Sequence, residues 1–155
     1  MQSRVAAGAV SGLIAGVVFG MMMQMMKAPT PDGMEVPMMA MVAKVVRSDS
    51  MVVGWLFHLV NSLLIGGAFG LLFGSKLHSL GSGAAWGALY GVFWWVLGGL
   101  ILMPVLLGMP AFSALRDPMM RPVAMGSLVG HLIFGVILGV GAVLLLRRGA
   151  TQPVS

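Results

Sequence analysis

Three polar side chains that could do chemistry lie inside two otherwise apolar stretches of this sequence. His58 and Asn61 belong to "GWLFHLVNSLLIGGAFG" (Gly54–Gly70), and His131 belongs to "SLVGHLIFGVILGVGAV" (Ser127–Val143). An imidazole can form hydrogen bonds, transfer a proton near neutral pH or bind a metal ion. Because a polar group in an apolar helix must find a partner, we expect these side chains to meet specific groups in the folded chain.

The residue types leave four interpretations of His58 and His131 open. In the leading one, each imidazole, like the Asn61 amide, forms a hydrogen bond between helices and no cofactor is bound. In the second, the pair lines a permeation or proton-relay path. In the third, the pair ligates a b-type haem, although closely packed helices leave little room for the macrocycle. In the fourth, the pair binds Cu(I) together with methionines.

The methionines are concentrated on the side of the membrane where the histidines are expected. Apart from Met1, all fifteen lie between Met21 and Met51 or between Met103 and Met125. Thioether sulfur is a soft ligand that favours Cu(I), and imidazole also suits copper. The predicted metal-ligand set is therefore His58, His131, Met51 and Met125. Methionine also fills irregular gaps in apolar cores, which needs no metal.

The composition excludes a soluble globular domain. Of 155 residues, 59% are hydrophobic and 8% are charged, whereas globular proteins have about 25% charged residues. The net charge is +5, but the nine basic residues form no patch, so nucleic-acid binding is not expected. The absence of cysteine excludes disulfides and thiolate metal sites. Because Ser–His–Asp, HExxH and P-loop contexts are missing and no carboxylate lies within an apolar run, we expect no enzymatic activity.

Four apolar runs of about twenty residues are long enough to cross a bilayer. They are Val5–Met26, Val52–Phe73, Ala84–Leu106 and Met125–Leu146. The first is longer than the apolar core of a signal peptide, so we expect it to be retained as a span. The sequence therefore predicts an all-α integral membrane protein with four transmembrane helices in a single domain, residues 1–155.

The connection between the first two spans, residues 27–50, begins with an irregular proline-containing stretch and continues into a predicted helix. On that helix, Met38, Met41, Val42 and Val45 share one face. Such an amphipathic pattern is typical of a short helix that lies in the membrane interface.

Small residues recur at every fourth position in all four spans. This spacing lets helix backbones approach closely, which favours helix association in lipid. The predicted packing residues are Gly8, Gly12, Gly16, Gly20, Ser62, Gly66, Gly70, Gly87, Gly91, Gly135 and Gly139.

The same spacing predicts an internal repeat. A shift of 75 residues places Gly8 on Gly83, and a shift of 73 places His58 on His131, with further small residues aligned at four-residue steps. We therefore expect two repeated helical hairpins, residues 5–73 and 84–146, in parallel orientation about an axis along the membrane normal. His58 and His131 would then lie at the same depth.

Basic residues beside the spans predict the orientation of the chain. Arg4, Lys76 and the pair Arg147 and Arg148 lie on one side with no acidic residue, whereas the connections on the other side carry both signs. Since Lys and Arg are enriched in cytoplasmic loops, we expect cytoplasmic termini and an outward-facing methionine-rich side.

Short motifs distributed over the four spans suggest a family. They are "GLIAGVV" (Gly12–Val18), a second span led by a histidine, "LMPVLLGMP" (Leu102–Pro110), and "GHLIFG" (Gly130–Gly135) followed by a terminal "RR". In these pieces the chain resembles small bacterial inner-membrane proteins of the YagU type, although its connecting segments differ. The resemblance implies a four-helix protein of the bacterial cytoplasmic membrane without an established biochemical activity, and it supplies no site residues.

From these observations we expect a small non-enzymatic membrane protein. It would be an accessory subunit, or a permeation or transport module with paired intramembrane histidines. The alternative is a redox or metal-binding module that uses His58 and His131. The expected partner is the lipid bilayer, and the glycine-rich helices also permit a homo-oligomer or a larger membrane complex.

Overall fold

The structure is a computed structural model that describes residues 2–30 and 33–150. Its elements in chain order are α1 (Gln2–Met25), β1 (Lys27–Pro29), β2 (Glu35–Pro37), α2 (Met38–Val45), α3 (Met51–Phe73), a 3₁₀ turn (Gly74–Lys76), α4 (Leu80–Trp94), a π-helix (Trp95–Leu102), α5 (Met103–Leu106), α6 (Ser113–Arg116) and α7 (Arg121–Ala150).

Four helical segments are long and apolar enough to cross a membrane, as the sequence predicts. They are Arg4–Met25, Met51–Lys76, Leu80–Leu106 and Arg121–Gly149. Their ends differ by up to four residues from the predicted spans because local capping sets them. The third begins at Leu80, for example, because the Ser79 hydroxyl accepts a hydrogen bond of 3.0 Å from the Ser82 amide. The chain is thus a mostly helical multi-pass membrane protein.

The helices pack in the order α3, α1, α7, α4, so the first and last helices occupy the middle. Helices α1 and α3 meet at glycines: a Cβ added to Gly12 would lie 2.7 Å from the Cα atom of Gly66. Helices α4 and α7 meet in the same manner, since a Cβ on Gly87 would lie 2.8 Å from the carbonyl carbon of Gly135. At both interfaces only glycine permits the observed backbone separation.

The other predicted packing residues occupy the same two interfaces. At the α1–α3 interface are Gly8, Gly16, Gly20, Ser62 and Gly70, and at the α4–α7 interface are Gly91 and Gly139. Gly16 and Gly20 differ from the other glycines, because their nearest neighbours are the side chains of Ser62 and Trp55 rather than a helix backbone.

The central pair, α1 and α7, packs through small side chains. The buried Ser11 hydroxyl donates a hydrogen bond of 2.8 Å to the carbonyl oxygen of Leu138. Ala15 and Ala142 are also fully buried. Near these residues no large side chain separates the two backbones, whereas farther along the interface the Phe19 ring of α1 lies against Gly130 of α7.

Aromatic side chains separate α3 from α4. Phe69 and Phe73 of α3 contact Trp86 and Tyr90 of α4, with ring centroids 5.0–5.8 Å apart. The Tyr90 hydroxyl donates a hydrogen bond of 3.1 Å to the carbonyl oxygen of Ile65. We call Phe69, Phe73, Trp86 and Tyr90 the aromatic plug. Beyond the plug, toward the methionine-rich side, α3 and the π-helix are not close neighbours.

The connection after α1 is more ordered than its prolines predict. Strands β1 and β2 pair in antiparallel register, with Ala28 opposite Val36. The hairpin turn contains Gly33 at a φ of 79°, a left-handed conformation that glycine adopts readily. Helix α2 follows and packs on α3, burying Met39 completely. Pro29 and Pro37 are the last residues of the two short strands, positions where a missing N–H costs little.

The third span is not a regular α-helix throughout. Its second half, Trp95–Leu102, is a π-helix. The following connection is tied back to this segment, because the Phe112 amide donates a hydrogen bond of 2.7 Å to the Leu100 carbonyl oxygen. A π-helix is wider than an α-helix and is frequently found at functional sites.

Candidate functional site: a cavity beside the two histidines

A cavity of about 290 Å³ fills the space between α3 and the π-helix on the methionine-rich side of the molecule. Helices α1 and α7 form its back wall through Phe19, Met23 and Phe134. Helix α2 covers it with Met38, Met41, Val42 and Val45, the four residues that the sequence places on one face. That face was predicted to lie in the interface, and in the structure it lines the cavity.

The cavity is deep but closed at one end. On α3 its lining continues to Ile65, about 20 Å from Met51 at 1.5 Å per residue. At Ile65 the cavity meets the aromatic plug, in which Phe69 is fully buried and Tyr90 is 6% exposed. The cavity therefore extends past the middle of the predicted span without reaching the side of the short connection.

His58 lines the cavity and is fixed to α1. Its Nε2–H donates a hydrogen bond of 2.8 Å to the Gly16 carbonyl oxygen, because a carbonyl can only accept. The Ser62 hydroxyl donates a hydrogen bond of 2.8 Å to the His58 carbonyl oxygen and lies against Gly16. The bond between His58 and Gly16 joins two helices. The leading interpretation expects such a bond for all three polar side chains, but Asn61 and His131 bond within their own helices.

His131 lines the same cavity but is bound within its own helix. Its Nδ1–H donates a hydrogen bond of 2.8 Å to the Ser127 carbonyl oxygen. The ring lies against the π-helix, where a Cβ added to Gly99 would be 3.6 Å from its Cε1 atom. The two histidines therefore face one cavity through different hydrogen bonds, one between helices and one within a helix.

A single phenylalanine contacts both imidazoles. Phe19, on the helix between α3 and α7, packs edge-to-face on His58 and on His131, with ring centroids 5.8 and 4.7 Å apart respectively. Axial ligation of one haem by both histidines would require this ring to move and the hydrogen bond of His58 to break. The present arrangement therefore fits the haem hypothesis poorly.

Asn61 adds a polar group to the cavity wall, whereas the lining residue Trp94 has its polar atom buried behind the wall. The Asn61 Nδ2–H donates a hydrogen bond of 2.8 Å to the Phe57 carbonyl oxygen of its own helix, so the amide oxygen remains an acceptor. The Trp94 indole nitrogen is buried without a hydrogen-bond acceptor among the described residues. The Tyr90 hydroxyl is its polar neighbour.

Seven methionines line the cavity, but the two methionines that the sequence predicts as metal ligands are not among them. Met51 and Met125 do not line it; Met51 packs against the core and Met125 is 52% exposed. At 1.5 Å per residue they lie about 10 Å along the helix from the nearest histidine. The methionines that line the cavity are Met23, Met26, Met38, Met41, Met103, Met109 and Met120. Periodicity on α2 identified Met38 and Met41, whereas the others depend on the tertiary arrangement.

Charge is confined to the outer rim of the site. Asp117 is the one charged side chain that lines the cavity within residues 2–30 and 33–150, and its Oδ1 accepts a hydrogen bond of 2.9 Å from the Met119 amide. Outside the spans, Lys44 pairs with Asp49, and this hydrogen bond and charge lower the pKa of the Asp49 carboxyl. Across the same residues no three histidines or carboxylates cluster to hold a metal ion.

Comparisons of the chain with models of protein families, with curated proteins and with solved structures found no match. The resemblance to YagU-type proteins therefore stays a prediction, and the function must be argued from the cavity.

Proposed function

We propose that this chain is a non-enzymatic transport module whose cavity receives a small molecule from the methionine-rich side. The observation that carries the proposal is the cavity of about 290 Å³ that contains both membrane-embedded histidines and ends at the aromatic plug. Ligand sites are typically concave and mostly apolar, with a few polar groups that fix orientation. A chamber that is open to one side and closed on the other is what a transporter needs in one of its states.

The proposed internal repeat explains why the cavity lies between α3 and α4. If the hairpins α1–α3 and α4–α7 are repeats, the α1–α7 and α3–α4 interfaces are equivalent. Applying the same shifts, Ser11 and Ala15 correspond to Trp86 and Tyr90, and Leu138 corresponds to Ile65. In support, both Leu138 and Ile65 carbonyls accept a hydrogen bond from the opposite helix. Between α3 and α4, the rings of Trp86 and Tyr90 stand where the equivalent interface has the small residues Ser11 and Ala15. These rings hold α3 and α4 apart, and the cavity occupies the space between the two helices.

The same proposal identifies the two hairpins as the parts that move relative to each other. Each hairpin is held by close glycine contacts and is expected to move as a unit. The α3–α4 interface depends on the plug and has the fewest backbone contacts, so separation of the plug would connect the cavity with the other side of the membrane.

We further propose that the chain resides in the bacterial cytoplasmic membrane with its termini inside. In support, Arg4 and Lys76 lie at the same end of the bundle, where the Lys76 amino group is 4.4 Å from the Trp86 ring centroid. Such basic and aromatic pairs are typical of membrane interfaces. Exposed leucines and valines on the outer faces of α1, α3 and α7 suit contact with lipid or with a further membrane subunit.

Cysteine labelling tests the transport proposal directly, because the chain has no cysteine of its own. Ser127 lines the cavity, and S127C is a small change there. In proteoliposomes, a membrane-impermeant maleimide should label S127C quickly from the methionine-rich side. It should also label it from the other side, roughly 10- to 1,000-fold more slowly if the alternative state is 0.1–10% populated.

Two exposed positions serve as controls for sidedness. Ser50 precedes α3 on the methionine-rich side, and Ser75 lies in the 3₁₀ turn on the other. S50C and S75C should each react from one side only. If S127C also reacts strictly from one side, the cavity does not alternate and the transport proposal fails, which would leave an accessory role.

Cu(I) binding is the second candidate function, favoured by the seven methionines that line the cavity with the two histidines. It predicts about one copper ion per chain after loading with Cu(I) and gel filtration. Replacing cavity methionines (M38L with M41L) should reduce the bound copper, whereas M51L with M125L should not. The reverse result would support the ligand set predicted from the sequence, and copper-free protein would exclude both sets.

A further inference from the structure

Hydrogen-bond acceptors outnumber donors among the free polar atoms of the cavity. A neutral imidazole that donates one N–H keeps a lone pair on its other nitrogen. His58 thus retains Nδ1, His131 retains Nε2 and Asn61 retains Oδ1, and none of these atoms has another hydrogen-bond partner within residues 2–30 and 33–150. The indole N–H of Trp94 has almost no accessible surface and is not presented to the cavity, so the remaining side-chain donors of the lining are the Ser113 and Ser127 hydroxyls. A ligand that satisfies this wall must itself donate hydrogen bonds.

The charges and walls of the cavity limit the ligand further. Asp117 at the outer rim is the one charged lining residue within the described ranges, so nothing on the wall would neutralise a charged head group at the depth of the histidines. Most of the lining is aliphatic, aromatic or thioether. The gap between α3 and the π-helix has few backbone contacts, and both elements belong to segments that could span the membrane. A ligand with an apolar tail could therefore enter from the bilayer.

We propose that the cavity binds a neutral, hydroxyl-bearing amphiphile that enters between α3 and the π-helix. Its hydroxyl donates to the free imidazole nitrogen of His131 or His58, or to the Asn61 amide oxygen. Its tail packs among the methionines beneath α2. This inference deepens the proposed transport function by naming the chemical class of the transported molecule, and it rests on that function.

A matched pair of probes tests the hydrogen-bond donor. 4-Octylphenol has a hydroxyl and an eight-carbon tail, whereas 4-octylanisole has a methyl ether in place of the hydroxyl. We expect protein in lipid nanodiscs to bind radiolabelled 4-octylphenol, after subtraction of the uptake by empty nanodiscs. Since one hydrogen bond contributes roughly 0.5–1.5 kcal/mol, the anisole should compete about three- to tenfold less well.

Variants locate the interaction. In the double variant H58L with H131L, 4-octylphenol and 4-octylanisole should bind with about equal affinity. The affinity for 4-octylanisole should be the same as in the wild-type protein. N61L provides a second acceptor deletion if the histidine variant does not fold. A preference that persists in every acceptor variant would overturn the assignment to this wall.

The wild-type result alone is also decisive. Equal affinity for the two probes, or no binding of either above empty nanodiscs, overturns this inference. Labelling of S127C from both sides does not depend on a hydroxyl. The transport proposal can therefore survive while the ligand class fails, and the two failures are distinguishable.

Discussion

Replacing Gly87 with alanine tests whether backbone proximity at the α4–α7 interface holds the fold together. A Cβ at this position would lie 2.8 Å from the Gly135 carbonyl carbon and 3.1 Å from the Gly139 nitrogen, and it would overlap the Gly135 oxygen. All three atoms belong to the backbone, so no side-chain rotation relieves the clash. The helices must separate by about 1 Å before the Cβ clears the Gly135 oxygen, which forfeits up to about half of each contact across the interface.

The expected change in the free energy of unfolding of G87A is the sum of two opposing contributions. Overpacking costs roughly 1–3 kcal/mol, and the higher helix propensity of alanine returns up to about 1 kcal/mol. We therefore expect G87A to lower the free energy of unfolding by about 1–2 kcal/mol. Titration of the folded protein with SDS in mixed micelles, followed by tryptophan fluorescence, measures this change.

Gly67 provides the matched control. It is also a buried helical glycine at a helix interface, but its added Cβ would lie 3.6 Å from a Val5 methyl group, which is an ordinary contact. We expect G67A to be neutral or slightly stabilising. If G87A is as stable as G67A, close backbone approach does not limit this fold and the reasoning is refuted.

Three further predictions concern single hydrogen bonds. S11A should lower the free energy of unfolding in the same titration by about 0.6–1.7 kcal/mol, because the bond to Leu138 is lost; an unchanged midpoint would contradict its role. In an NMR titration the Asp49 carboxyl should have a pKa below 3.8, and K44M should return the pKa to that value. Because the folded-state pKa is lowered, this pair stabilises the fold above pH 3.8, and the stabilisation is lost as the pH falls through the lowered pKa. Y90F removes the bond to Ile65 and should speed labelling of the cavity cysteine from the short-connection side, whereas an unchanged rate would show that this bond does not hold the plug closed.

The spans were predictable because length and hydropathy alone determine which segments can cross a bilayer. The glycine contacts were also accessible to sequence analysis, since a four-residue period marks one helix face. The amphipathic face of α2 was identified for the same reason, but the sequence did not show that this face lines a cavity. Periodicity tells which residues share a face, and it does not tell whether that face meets water, lipid or a cavity.

The polar partners could not be predicted from the sequence. His58 bonds to Gly16, 42 residues away, whereas His131 bonds to Ser127 in its own helix. The two residues look alike in sequence, and the difference arises from the helix that each one faces. The π-helix could not be predicted from the sequence either, because Trp95–Leu102 has the composition of an ordinary membrane span.

The central position of α1 and α7 has a consequence for biogenesis. The bond from Ser11 to Leu138 joins residues 127 positions apart, so it cannot form until α7 has left the ribosome. The α1–α3 hairpin can assemble in the membrane well before that, with one face of α1 still in contact with lipid. Two fragments divided in the short connection at residues 77–79 should therefore insert separately and then associate when co-expressed.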